Sequence, residues 1–161
     1  QPRIDPINRL RVQIIRASTL RITGQMHRAN IATNWILAAA ETCGEPRWYA
    51  EALLEAAQLR IEEGKQEVAE SYLELAEKIF ITLNLPDGAA RALTVLGKAL
   101  VQHGEHRLAS ATLERSLYIT REHANRLGEA STLLQMGILH MRQNATFRLG
   151  LTSTRLKIYL N

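Results

Sequence analysis

An all-α solenoid of about four antiparallel helical hairpins is the architecture expected of this chain, from a 40-residue period, columns of small residues and a helix-forming composition. Gly24, Gly64 and Gly104 stand forty residues apart, each between two amphipathic runs. A fixed period of that size signals a stack of helical hairpins. Ala17, Ala57, Gly97 and Gly137 keep the same step, as do Ala29, Ala69 and Ala109. Gln13, Leu53, Leu93 and Leu133 form a third column, apolar after its first member. Asn144 falls where a fourth turn glycine would stand, and Asn is the next best residue for a left-handed turn. Across 161 residues the chain is 46% apolar and only 5% aromatic, with Ala and Leu dominant, as helix-rich sequences are.

Each element follows from its residues. Asp5 is placed to cap the first helix and Pro6 suits its first turn, where a missing N–H is harmless. Leu10, Ile14, Ala17 and Leu20 then recur at helical spacing until Gly24 breaks the run. A second run to Cys43 carries Ala29, Ile36, Leu37 and Ala40, and Gly44-Glu45-Pro46 closes the first unit, about residues 6–45. The second unit, about 47–86, sets Leu53, Ala56, Ala57 and Arg60 on one face before Gly64, then Ala69, Tyr72, Leu73, Ala76 and Phe80. After the breaker Asn84-Leu85-Pro86-Asp87-Gly88, Asp87 is placed to cap the next helix. The third unit, about 88–127, repeats the theme with Leu93, Gly97 and Leu100, then Gly104, then Ala109, Leu113 and Leu117. The fourth, about 129–161, opens with Leu133, Leu134, Gly137, Ile138 and Met141 and is expected to turn at Asn144. Beyond it Phe147, Leu149 and Leu151 alternate, as do Leu156, Ile158 and Leu160, which is a strand period; the preceding hairpins argue for helix. Where a neighbouring unit is missing, apolar surface around Leu134, Ile138, Phe147 and Leu151 is expected to be exposed, so that the C-terminal end self-associates or is poorly ordered.

Leu53, Ala57, Gly64, Ala69, Leu73 and Ala76, matched one unit on by Leu93, Gly97, Gly104, Ala109, Leu113 and Ser116, resemble the tetratricopeptide repeat family. The family unit has 34 residues. Here the unit has 40, similar to the long repeats of kinesin light chains and of bacterial signal-responsive regulators. The resemblance runs from about Leu10 to Asn144 and implies a superhelix whose first helix in each hairpin lines a concave groove. Most of the family's aromatic and proline positions are absent, and the first and last units depart furthest from it.

Charge is uneven: residues 1–30 hold six arginines against Asp5, residues 51–80 hold eight glutamates against three basic residues, and residues 139–161 hold four basic residues and no acid. A nucleic-acid site needs a continuous basic stripe with stacking aromatics, and here an acidic unit separates the basic ends. Nucleic acid is therefore not expected as a partner. His103 and His106 lie three apart, with His123, His140 and Cys43 elsewhere, and no four-ligand metal spacing emerges. Neither a phosphate-cradling glycine loop nor a nucleophile elbow is present, so no cofactor and no enzymatic activity are expected. No apolar run reaches the roughly 20 residues of a membrane span. The lone cysteine leans towards a reducing, cytoplasmic setting. Because the chain opens on Gln1 rather than Met, it reads as a piece of a longer protein.

What remains is surface. The resemblance, carried over helix by helix, places Arg11, Ser18 and Arg21 in the first wall of the groove. Glu51, Leu54, Gln58, Ile61 and Glu62 follow, then Arg91, Thr94, Lys98, Val101 and Gln102, then Ser131, Leu134, Ile138 and Arg142. Lying beside the buried stripe, these positions are expected to be partly exposed. Arg91 and Lys98, two turns apart on one helix, are the expected anchors for a carboxylate. The reading is a non-enzymatic scaffold that binds a protein or peptide in this groove. The alternative is the regulatory or sensor repeat domain of a larger signalling or transcription-regulating protein.

Overall fold

The structure is a computed structural model that describes residues 5–159, with side chains to residue 149. Among the described residues it is all helix: α1 Pro6–Ile22, α2 Met26–Cys43, α3 Pro46–Glu62, α4 Gln66–Thr82, α5 Pro86–His103, α6 His106–Glu122 and α7 Arg126–Tyr159. The helices form an all-α repeat solenoid, as expected. Its units are cut by local chemistry. Asp5 caps α1 by accepting from the Ile7 N–H at 3.2 Å. Pro6, Pro46 and Pro86, themselves forty residues apart, each open an odd-numbered helix, where a missing N–H costs nothing. Asp87 does not cap α5. Because the helix starts at Pro86, Asp87 sits inside its first turn and accepts from the Asn125 side chain at 2.8 Å, one unit away.

The ends of the helices reveal a finer period of twenty. Backbone φ is positive at Gly24 (74°), Gly44 (71°), Gly64 (75°), Asn84 (54°), Gly104 (87°) and Ala124 (53°). After five of these six helices the next N–H reaches back to a carbonyl in the last turn, as in Lys65 to Arg60 at 2.8 Å and Asn125 to Thr120 at 2.8 Å. This is the Schellman closure, which satisfies otherwise orphaned carbonyls. A helix of 17 or 18 residues plus its closure therefore makes half a unit.

Every helix packs on its chain neighbours, and the odd helices also touch one another: α1 on α3, α3 on α5, α5 on α7. No pair of even helices is in contact among the described residues. The layers thus converge on the odd side and splay on the even side, which makes the odd helices the inner wall. Small residues set the spacing. Ala17, Ala57, Ala29, Ala69 and Ala109 are fully buried. At Gly97 an added Cβ would lie 2.4 Å from Leu113, and at Gly88 it would lie 2.3 Å from Phe80. The main core runs through α3, α4 and α5 around Leu53, Leu73 and Phe80.

The fourth unit departs from the others. α7 does not turn at Asn144 but continues as one helix of 34 residues, about 51 Å long. The residues beyond Asn144 are helical as far as 159, so their strand-like alternation has no structural counterpart. Leu134 and Phe147 are exposed as expected, whereas Ile138 is half-buried. The side chains of Leu151, Leu156 and Ile158, and Leu160 itself, lie outside the described residues.

Two stability predictions follow from this geometry. Ala124 carries a Cβ in the left-handed region, at a cost of about 1–2 kcal/mol. Ala124→Gly should therefore raise stability by about 1 kcal/mol in urea unfolding. Gly97→Val should cost about 1–3 kcal/mol by overpacking against Leu113. Leu113→Ala in the same chain should recover part of that loss, a non-additivity a double-mutant cycle reads directly.

Candidate partner-binding groove

The forty-residue step puts Arg11, Glu51, Arg91 and Ser131 at one level of the inner wall. Between α1 and α3 this wall opens into a cavity of about 600 Å³, floored by Ile14, Ser18, Leu54 and Glu55 and rimmed by Arg11, Arg47, Trp48, Glu51, Gln58 and Arg91. Trp48 is half-buried there. The guanidinium carbons of Arg11 and Arg47 lie 5.4 Å and 5.3 Å from its ring centroid, within range of a cation–π contact. Neither arginine has an acidic partner among the described residues. The groove thus has an aromatic surface with two available cations above a mixed floor.

Trp48 and Arg47 are absent from the set expected from sequence, because that set was carried over from a family pattern poor in aromatics here. One signal was available: one of only two tryptophans in the chain falls on the first turn of an odd helix, one residue after an arginine.

The expected residues divide by environment. Arg11, Arg21, Glu51, Gln58 and Arg91 line the cavity. Arg91 is not a free anchor, however. Its guanidinium makes a two-pronged pair with Glu51, at 3.0 Å and 3.1 Å, one full unit back. Lys98 is half-buried and has no ion-pair partner among the described residues. Glu62 and Gln102 are exposed, and Arg142 is exposed with a long contact of 3.4 Å to the Val101 carbonyl. Four expectations of exposure fail: Leu54, Ile61, Thr94 and Val101 are buried. The next unit covers them, because the odd helices pack wall to wall. Thr94 instead joins a buried hydroxyl cluster with Ser116 at 2.8 Å and Thr132 at 2.9 Å, tying α5, α6 and α7 together.

Arg21 also proves to be an internal tie. Its side chain is nearly buried and donates to Glu55 at 2.8 Å, Gln58 at 3.0 Å and Glu62 at 2.6 Å. Burial works against its charge, but these acceptors outweigh it and hold Arg21 above its ordinary value. Glu55 feels the same burial more strongly, and its carboxyl is raised in spite of Arg21. A second network joins α2 to α3: the buried Arg60 donates to Glu63 and, at 3.1 Å and 3.2 Å, to Asn30 and Asn34. Asn30 returns a hydrogen bond to Glu63 at 2.6 Å. Partial burial would raise Glu63, but hydrogen bonds from Lys65 and Arg60 prevail and hold it below the usual carboxylate range.

Among the described residues no group of three His, Cys, Asp or Glu is placed to hold a metal ion, and no helix is long and apolar enough to cross a membrane. No protein-family model matches the chain, and no curated protein matches it.

The Glu63 network makes a pH prediction. Its folded-state value lies below its unfolded one, so the stabilisation is present above the ordinary carboxylate range and is lost as pH falls through the depressed value. Glu63→Gln removes that term. The gap in melting temperature between the parent and Glu63→Gln should be wide near about pH 7 and narrow near about pH 3. An equal gap at both would place the effect of Glu63 outside its charge.

Proposed function

We propose that this array is a non-enzymatic interaction module that takes an extended peptide or partner segment along its inner wall. The ligand would carry a carboxylate beside an apolar side chain. The observation that carries this reading is the cavity between α1 and α3, where Arg11 and Arg47 meet Trp48 without a carboxylate of their own. An acidic side chain would pair with a guanidinium there, and an apolar one would lie on the indole and on Ile14. Groups with shifted titration, Arg21, Glu55 and Glu63, sit in ties between helices, which suits a rigid platform better than proton transfer. A rigid platform also loses little entropy on binding. The long-unit tetratricopeptide resemblance supports the same use of the inner wall, and the single cysteine suits action inside the cell.

The test is a random-peptide display selection on the immobilised chain, with the enriched peptides measured by fluorescence anisotropy. Enrichment should favour an acidic residue next to a large apolar one. Arg11→Glu with Arg47→Glu should weaken the selected peptides about tenfold or more, as should Trp48→Ala, with little change in melting temperature. By contrast, Arg91→Glu should act mainly by breaking the pair with Glu51. Peptides that bind the folded double variant undiminished would move the site off this cavity.

A further inference from the structure

The end of the array carries an uncovered helix-packing face whose occupant can be read from the repeat register. Leu53 and Leu93 are 1% and 0% exposed, yet Leu133, forty residues on, is 45% exposed. The same break occurs from Leu54 and Thr94 to Leu134, which is 63% exposed, and from Ile61 and Val101 to Met141, at 71%. Gly97 lies under Leu113 of its own hairpin, whereas Gly137 has nothing within 4 Å of an added Cβ. In the second and third units, partners of this face include the second helix of the same hairpin and the following unit. In the fourth unit the position of that second helix belongs to residues 146–159, which the structure carries straight on as the distal part of α7. Every described side chain from Asn144 to Leu149 is exposed.

A straight helix cannot fold back on its own earlier turns. It can, however, exchange with an identical one. In the third hairpin Gly97 faces Leu113 and Thr94 faces Ser116, and both pairs are centred on position 105. Forty residues on, the centre is 145, which matches Gly137 with position 153 and Leu134 with position 156. Two α7 helices laid antiparallel about a two-fold axis at position 145 produce this same matching, with the second member supplied by the other chain. The small Gly137 then allows the close approach that Gly97 allows within its hairpin. We infer that two copies of this chain dimerise by exchanging the distal part of α7, so that residues 146–159 of each complete the fourth hairpin of the other. Such a contact is isologous and closed, and it covers the hairpin-facing side of α7 in both copies at once.

Light scattering on the unaltered 161-residue chain should give a mass near twice its 18.1 kDa. Leu134→Glu, at a position exposed in the single chain, should weaken the dimer tenfold or more while the melting profile of the first three units persists. The register is tested by cysteine pairing. In a Cys43→Ser background, Gly137→Cys with Ser153→Cys should oxidise to a covalent dimer on a non-reducing gel, and neither single variant should do so efficiently. A bridge formed within one chain at monomer mass would overturn the proposal, because the helix would then turn at Asn144 and close its own hairpin. A monomer without any bridge would overturn it equally, leaving the face to a different partner. A dimer unaffected by Leu134→Glu and unbridged by the paired cysteines would place the interface elsewhere and also overturn it.

Discussion

Close approach of paired helices at small residues is the constraint on which the rest of this structure depends. At Gly97 the leucine of the facing helix occupies the space where a Cβ would stand. At Ala57 and Ala69 the side chain is the smallest that still favours helix, and both are fully buried. With the axes held close, each leucine beside a small residue fills the gap in the next layer, and packing reaches the density that cores require. Any larger residue in these columns would separate the axes and propagate the misfit to the neighbouring unit, since in a linear array each unit contacts only those on either side.

Polar ties run on the same period and set the order of the layers. Glu51 and Arg91 are forty residues apart, Glu77 and Arg115 thirty-eight, Asp87 and Asn125 thirty-eight. Exposed pairs of this kind contribute little each, about 0–1 kcal/mol, so they do not hold the array together. What they do is favour one rotation of each unit on the last. Arg21 and Arg60 differ in being nearly buried, and each is ringed by acceptors that its burial makes necessary. They join α1 to α3 and α2 to α3.

The inner wall and the fourth unit then differ in how their faces are covered. Packing of odd helix on odd helix buries Leu54, Thr94 and Val101, which leaves the groove shallower and more polar than a single helix would suggest. The first unit is the exception, because α1 presents Ile14 and Ser18 to a cavity that Trp48 and two arginines rim. At the far end the repeat stops being reciprocal: α7 offers the face that receives a second helix, and its own extension lies in line with it.

Helical class, the forty-residue period and the hairpin turns were legible in the sequence because they are local. Glycines at the turns, a capping aspartate and prolines at helix starts act through the backbone within a few residues. The columns of alanine and leucine were legible too, because a linear array gives each position equivalent neighbours in its inner units. The twenty-residue closure was hidden, since Gly44, Asn84 and Ala124 are different residues held in one conformation. Burial at the inner wall was decided only in three dimensions: which face of an odd helix meets the next odd helix depends on the rotation between units, which no single helix encodes. The same holds for Arg91, whose partner Glu51 lies a unit away, and for Trp48, on which two arginines from different helices converge. Asn144 shows the limit most plainly. Its register promised a turn, but Asn permits the left-handed conformation without enforcing it, and α7 runs on through residue 144.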